Sequence, residues 1–188
     1  MLKRLEAYLA VLEKWQRTIN LVGKASLGDP WRRHMLDSAQ LHPLLPADAI
    51  VVDLGSGAGF PGLVLAIMGD CHVHLIESDA RKCAFLAEAA RAAGADNVTL
   101  HNARAETMAP FAADVVTARA VAALDTLLGY AQPFLKPSTT CLFLKGEKAE
   151  QELTESLKNW TMTASQIQSQ SDPSGTILKL NTVERLNA

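Results

Sequence analysis

The sequence predicts an α/β fold: an open, Rossmann-like, mostly parallel sheet with an antiparallel hairpin at its C-terminal end and a helical extension at its N-terminal end. Three observations predict it. Short apolar runs alternate with helix-period segments over about a hundred residues from Ala49, the pattern of parallel strands joined by crossover helices. The first run, Ile50-Val51-Val52-Asp53-Leu54, ends in the turn Gly55-Ser56-Gly57-Ala58-Gly59, where such sheets bind ligands. The last two runs are split by Asp172-Pro173-Ser174-Gly175, a hairpin turn.

Taken in order, residues 1–48 form the extension and 49–188 a single compact unit. Leu2, Leu5, Leu9, Leu12, Trp15, Ile19 and Val22 recur at spacings of three and four, one face of a helix. Asp29-Pro30 is an N-cap with proline at the first helical position, so a second helix runs through His34, Leu36 and Leu41 to Pro43. After the first strand, Phe60 to Met68 reads as helix and Val73 to Glu77 as the second strand. Arg81 to Ala93 is an Ala-rich helix closed by Gly94. Val98 to His101 and Asp114 to Ala118 are strands three and four; Val121 to Leu135 is a helix ended by Pro137. Thr140 to Leu144 is strand five and Lys148 to Lys158 a helix. Strands near Met162–Ile167 and Thr176–Leu180 complete the hairpin.

Composition bounds the function. The chain has 188 residues, 48% hydrophobic and 20% charged, which suits one folded domain rather than a disordered chain. No apolar run reaches bilayer length and no signal peptide is visible, so a cytoplasmic protein is expected. Cys71, Cys83 and Cys141 are scattered, with no C-x-x-C pair, and read as buried thiols. The net charge of −2 hides an asymmetry: residues 1–48 hold seven basic against five acidic residues. His72, His74 and His101 lack ligand spacing with carboxylates or thiols, so no metal site is expected.

The glycine turn admits two readings. Gly57-Ala58-Gly59-Phe60-Pro61-Gly62 matches G-x-G-x-x-G, and Glu77 lies twenty residues after Gly57, as in a dinucleotide site. Starting instead at Asp53, the pattern is acid-x-Gly-x-Gly-x-Gly, the turn of S-adenosylmethionine-dependent methyltransferases. The acid before the first glycine and the lack of room for a second substrate domain favour the latter. Glu77, ending the second strand, is then placed to accept the ribose hydroxyls, and Glu106, after the third, to meet an adenine edge.

With these residues in view, the chain resembles the glucose-inhibited division protein B family, bacterial enzymes that methylate N7 of a guanine in 16S ribosomal RNA. The resemblance is carried by Ile19-Asn20-Leu21-Val22 after Trp15, Arg33-His34-Met35-Leu36-Asp37-Ser38, the turn from Asp53 to Gly62, and Glu77-Ser78 with Arg81-Lys82 and Phe85-Leu86. Ala105-Glu106, Thr117-Ala118-Arg119-Ala120 and Leu144-Lys145-Gly146 complete it. It departs mildly at Gln16, Val22 and Glu77, where Asn, Thr and Asp are more usual. It implies a class I S-adenosylmethionine-dependent methyltransferase sheet and that cofactor. Gly55, Phe60, Ala105, Glu106 and Arg119 match the family's cofactor contacts. Asp53, Gly57, Gly59, Glu77 and Ser78 complete the expected cofactor set.

Guanine N7 carries an exposed lone pair and needs no deprotonation, so the expected mechanism is in-line positioning without a general base or covalent intermediate. Arg119 is expected to orient cofactor and base, with a salt bridge to Glu106 or Asp53 as its structural role. Lys145 is expected to bind a phosphate or the guanine O6, or else only to snorkel. Arg33, His34, Asp37, Ser38 and Arg81 are expected to face RNA. His34, Asp37 and Ser38 share a helix face, equally compatible with a local hydrogen-bond cluster. Trp15 and Trp31 are read as core. A pI near 6.2 is not that of a strong binder of free RNA, so the expected partner is a ribonucleoprotein of the small subunit, met by a monomer with no obligate protein partner. A small-molecule methyltransferase with the N-terminal helices as a lid, and a non-enzymatic nucleotide-binding module, remain the alternatives.

Overall fold

The computed structural model describes residues 1–186. Seven strands form one sheet in the order β3-β2-β1-β4-β5-β7-β6. β1 (Ile50–Leu54), β2 (His72–Glu77), β3 (Val98–Asn102), β4 (Val115–Arg119) and β5 (Thr140–Lys145) are parallel. β7 (Thr176–Arg185) runs antiparallel between β5 and β6 (Trp160–Gln168). Val51, Val52, Val115 and Val116 are wholly buried, because parallel strands are covered on both faces and so carry apolar residues at every position. The strand order reverses between β1 and β4, which leaves a crevice at their carboxyl ends. The register sets Asp53 beside Thr117, Glu77 beside Asn102 and Arg119 beside Leu144.

Two apolar layers cover the sheet. One holds α1 (Leu2–Gln16), α3 (Gly62–Met68) and α4 (Ala80–Ala92); the other holds α5 (Leu124–Ala131) and Trp160. Leu5, Tyr8, Leu9 and Leu12 of α1 are buried within the layer that also contains Phe60, Leu63 and Phe85. The N-terminal extension therefore shares its core with the sheet.

Several boundaries differ from expectation. The helix period through Ile19 and Val22 is broken after Gln16, whose side chain takes over the backbone's hydrogen bonds. Its Oε1 accepts from the N–H groups of Leu21 (2.9 Å) and Val22 (3.0 Å), and its Nε2 donates to the Val22 carbonyl (3.0 Å). The second helix is a π-helical turn, Trp31–Leu36, running into the short α2 (Asp37–Ala39) and a 3₁₀ turn, His42–Leu44. Asp29 Oδ1 accepts from Arg32 N–H at its start (3.1 Å). Trp31, read as core, is 39% exposed. Phe60 and Pro61 belong to the glycine turn, and α5 starts at Leu124, after Ala120 has turned the chain with φ +55°. β6 and β7 are longer than expected because β6 is an edge strand with mostly exposed polar residues and no apolar alternation to betray its length.

Candidate active site

The crevice is a cleft of about 760 Å³ at the carboxyl ends of the central strands. The glycine turn forms its floor. Gly55 and Gly57 have φ +59° and +56°, a left-handed backbone that side chains disfavour. Val121 lies over the Gly55 Cα, where a Cβ would meet it at 2.9 Å. The turn is tied to β2 by Glu77: Gly57 N–H donates to Oε2 (2.9 Å) and Asp79 N–H to Oε1 (2.8 Å). Each of these oxygens keeps a second lone pair, and Glu77 lines the cleft.

Opposite stands Arg119. Its Nη1 donates to the Arg33 carbonyl (3.0 Å) and to Asp37 Oδ2 (3.2 Å), and its Nη2 meets His34 Nδ1 (3.1 Å). Its Cζ lies 4.8 Å from the centre of the Phe60 ring, on which the His34 imidazole also stacks at 4.7 Å. The salt bridge of Arg119 is thus to Asp37, not to Glu106 or Asp53, because the π-helical turn carries Asp37 to the end of β4. Burial, reinforced by the charges of Arg119 and Arg33, lowers the His34 pKa to about 4. Ser38 is fully buried and donates to the His34 carbonyl (2.7 Å).

Lys145, ending β5, is 10% exposed and donates to the Ala122 carbonyl (2.7 Å) and to Glu152 Oε2 (2.8 Å). Glu152 also accepts from Leu124 N–H (2.8 Å), so the pair pins the β4–α5 loop that carries Val121. The β6–β7 turn forms a further wall. Asp37 Oδ1 accepts from Ser171 Oγ, Gln40 Nε2 donates to Ser169 Oγ (3.2 Å), and Arg33 pairs with Asp172 (2.7 Å). Hydrogen bonds from Ser174 and then Arg33 hold the Asp172 carboxyl down at about 2.

The cleft therefore brings together Gly55, Gly57, Phe60, Glu77, Arg119, Lys145, Arg33, His34 and Asp37. Other expected site residues lie elsewhere. Asp53 is fully buried beneath the turn; Thr117 donates to its Oδ1 (2.8 Å), Oδ2 has no hydrogen-bond partner among the described residues, and burial pushes its carboxyl up to about 6. Gly59 faces the core, where a Cβ would stand 2.7 Å from the Tyr8 hydroxyl. Ser78 and Glu106 are exposed outside the cleft lining, and Ala105 packs into the second core layer. Arg81 is exposed and pairs with Asp79 (3.3 Å).

Three contributors went unread in the sequence. Tyr8 donates from its buried hydroxyl to the Ala58 carbonyl and so clamps the turn to α1. The β6–β7 turn carries only turn residues in the sequence, but Thr176 pairs with Lys145, so the antiparallel strand beside β5 brings it to the cleft. Ser26 is hydrogen bonded to His34 Nε2 (2.9 Å). Among the described residues no cluster of His, Cys, Asp and Glu could hold a metal ion, and no helix is long and apolar enough to cross a membrane.

Comparison with known proteins bears on this geometry. A family model described as rRNA small subunit methyltransferase G matches residues 1–177. A ribosomal RNA small subunit methyltransferase G of Rhodospirillum rubrum is 56% identical over 184 residues, 97% of this chain and 91% of that protein. One of Paramagnetospirillum magneticum is 58% identical over 185 residues, 98% and 90% of the two chains. Among solved structures, M. jannaschii TYW2 in complex with AdoMet is similar with a TM-score of 0.63 at 17% identity, over 90% of this chain and 80% of that one. A ribosomal protein L11 methylase of Lactobacillus delbrueckii subsp. bulgaricus gives 0.62 at 16%, over 81% and 77%. At such identities the two structures speak for the fold alone.

Proposed function

From the premise that this chain belongs to the rRNA small subunit methyltransferase G family, we propose that it transfers a methyl group from S-adenosylmethionine to N7 of a guanine in 16S ribosomal RNA, within an assembled small-subunit particle. The observation that carries the reading is the pairing of Gly57 N–H with Glu77 across one cleft from Arg119. A volume of about 760 Å³ falls within the range of small-molecule sites. Left-handed glycines leave the turn without side chains against a nucleoside, and the free lone pairs of Glu77 suit a ribose diol. The residues present thus fit the cofactor.

Gly55, Gly57 and Glu77 would hold S-adenosylmethionine, with Phe60 in the wall of the same cleft; Ala105 and Glu106 lie outside that lining and are not assigned to it. When bound, it supplies an electrophilic methyl on sulfur. The chain's own work is alignment. Arg119 is fixed by three contacts to the Arg33–Asp37 segment, so its remaining N–H groups are preorganised toward the cleft. N7 attacks with its own lone pair, so no side chain has to remove a proton before the transfer. The residues of the cleft would contribute by holding the guanine in line with the methyl group that the bound cofactor would supply. His34 is unsuited to be a base because its Nδ1 already accepts from Arg119. Arg33 and Lys82 at the rim offer charge to phosphates.

The test is methylation of small subunits from cells that lack this protein, using S-adenosylmethionine labelled in its methyl group. Label is expected in 7-methylguanosine of 16S RNA, at a higher rate in assembled particles than in deproteinised RNA. Label at another atom refutes the chemistry; equal rates refute the particle as substrate.

A further inference from the structure

Arg119 and His34 belong to a longer chain of hydrogen bonds whose direction chemistry fixes. A guanidinium has only donors and keeps its proton in proteins. At the 3.1 Å contact, His34 Nδ1 must therefore be the acceptor, and the single proton of the neutral ring lies on Nε2. That proton has a partner in Ser26 Oγ at 2.9 Å. Ser26 Oγ in turn donates to the Gly23 carbonyl at 2.7 Å. The order is Arg119 to His34 to Ser26 to the Gly23 carbonyl, each group donating one hydrogen bond to the next. The imidazole is 5% exposed and lies on Phe60 with an interplanar angle of 16°, so it has no room to rotate. Its lowered pKa, near 4, agrees with a ring that stays neutral.

We infer that His34 is the positioning residue for Arg119: it fixes the guanidinium by accepting at Nδ1 and ties it, through Nε2, to the Gly23–Ser26 segment at the cleft rim. This rests on the reading of Arg119 as a cofactor contact. Asp37 and the Arg33 carbonyl both engage Nη1, and His34 adds the contact at Nη2, so both ends of the fork are held. One N–H on Nη2 and the one on Nε then remain for the cleft. The Gly23–Ser26 segment lines the same cleft, so the chain joins its rim to its charged wall.

Two substitutions separate the ring nitrogens. His34→Asn sets an amide oxygen where Nδ1 stood; His34→Gln sets its amide nearer the Nε2 position. Both lose the stack on Phe60; Asn can reproduce the contact to Arg119 and Gln the one to Ser26, so their difference weighs the Nδ1 contact against the Nε2 contact. Calorimetric titration of the full chain with S-adenosylmethionine is expected to show weaker binding for His34→Gln than for His34→Asn, on the order of tenfold. Arg119→Ala is expected to lose at least as much, and adding His34→Gln to it to cost nothing further. Nitrogen-15 spectra of the unsubstituted protein are expected to show an unprotonated Nδ1 and a protonated Nε2, which requires no variant to fold. Equal affinities of the two His34 variants, additive losses, or a protonated Nδ1 would overturn the inference. Unchanged affinity in Arg119→Ala would instead overturn the reading of Arg119, and the inference with it.

Discussion

Glu77→Gln probes the ribose contact directly, and its cost can be worked from the structure. Each carboxylate oxygen accepts one backbone N–H, Oε2 from Gly57 and Oε1 from Asp79. An amide has one oxygen, so one of those N–H groups must face an NH₂ instead. Losing a hydrogen bond to a charged group costs about 1.5–3 kcal/mol. At about 2–4 °C per kcal/mol for a domain of this size, the melting temperature should fall by about 3–12 °C. Binding should suffer separately, because the lone pairs offered to the ribose diol go from two charged acceptors to one neutral one. The same energy per bond gives a Kd for S-adenosylmethionine raised about ten- to a hundredfold. Scanning and titration calorimetry on the same samples measure both. A cofactor analogue without the 2′-hydroxyl should bind the unsubstituted protein more weakly and Glu77→Gln with little further loss. A lowered melting temperature with unchanged Kd and unchanged discrimination against the analogue would mean that Glu77 only braces the turn, and the ribose argument would fail.

Gly62→Ala should destabilise by about 1–3 kcal/mol through overpacking, since a Cβ there would stand 2.5 Å from Leu75 Cδ2 and 2.7 Å from Asp53 Cβ; chemical denaturation measures it. Lys145→Met should lower stability by about 1–3 kcal/mol by removing the donor to the Ala122 carbonyl and the cation beside Glu152, which keeps only its bond from Leu124 N–H. It should leave the salt dependence of particle binding unchanged; a slope reduced by about one phosphate contact would make Lys145 an RNA ligand instead. The His34 imidazole binds its proton near 6.5 when unfolded and only near 4 when folded, so its contribution is complete above pH 6.5 and is lost as pH falls toward 4. The difference in melting temperature between the unsubstituted protein and His34→Asn should therefore narrow over that window. Asp53, raised to about 6, acts in the opposite direction in both proteins and cancels. Parallel curves would show that His34 titrates normally.

What was legible in the sequence followed from short-range rules. Val51 and Val52 are apolar in succession because a central parallel strand is covered twice, and the glycines of the turn mark left-handed backbone at Gly55 and Gly57. Glu77 was located by the rule that strands deliver side chains to the crevice at their carboxyl ends. The rest depended on contacts between distant residues. Tyr8 reads as one more apolar position of α1, and only packing brings its hydroxyl to Ala58, fifty residues away. Gln16 is polar on a helix surface, a bland position, until its amide replaces the backbone partners of Leu21 and Val22. Asp37 gave no sign of its partner, because Arg119 lies 82 residues away. Trp31 was misplaced for a different reason: aromatic residues are usually buried, and a periodic pattern cannot say when a helix starts at the surface.

The same long-range contacts decide whether the N-terminal helix is a lid or a wall. A lid must open at a cost well below the stability of the whole molecule. Leu5, Tyr8, Leu9 and Leu12 are between 0% and 9% exposed, and each fully buried apolar side chain is worth about 1.5–3 kcal/mol. Lifting α1 would thus cost about 6–12 kcal/mol, which is comparable to the 5–15 kcal/mol that holds a typical domain together. The Tyr8 bond to Ala58, the Arg4 bonds to the carbonyls of Ala93 (2.7 Å) and Gly94 (2.8 Å), and the Trp15 bond to Glu88 (2.9 Å) would break as well. Opening α1 is therefore close to unfolding. Hydrogen exchange tests this: the central amides of α1 should exchange with protection similar to those of β1, with or without S-adenosylmethionine. Fast exchange in α1 beside a protected sheet would show that the helix opens independently and would restore the lid.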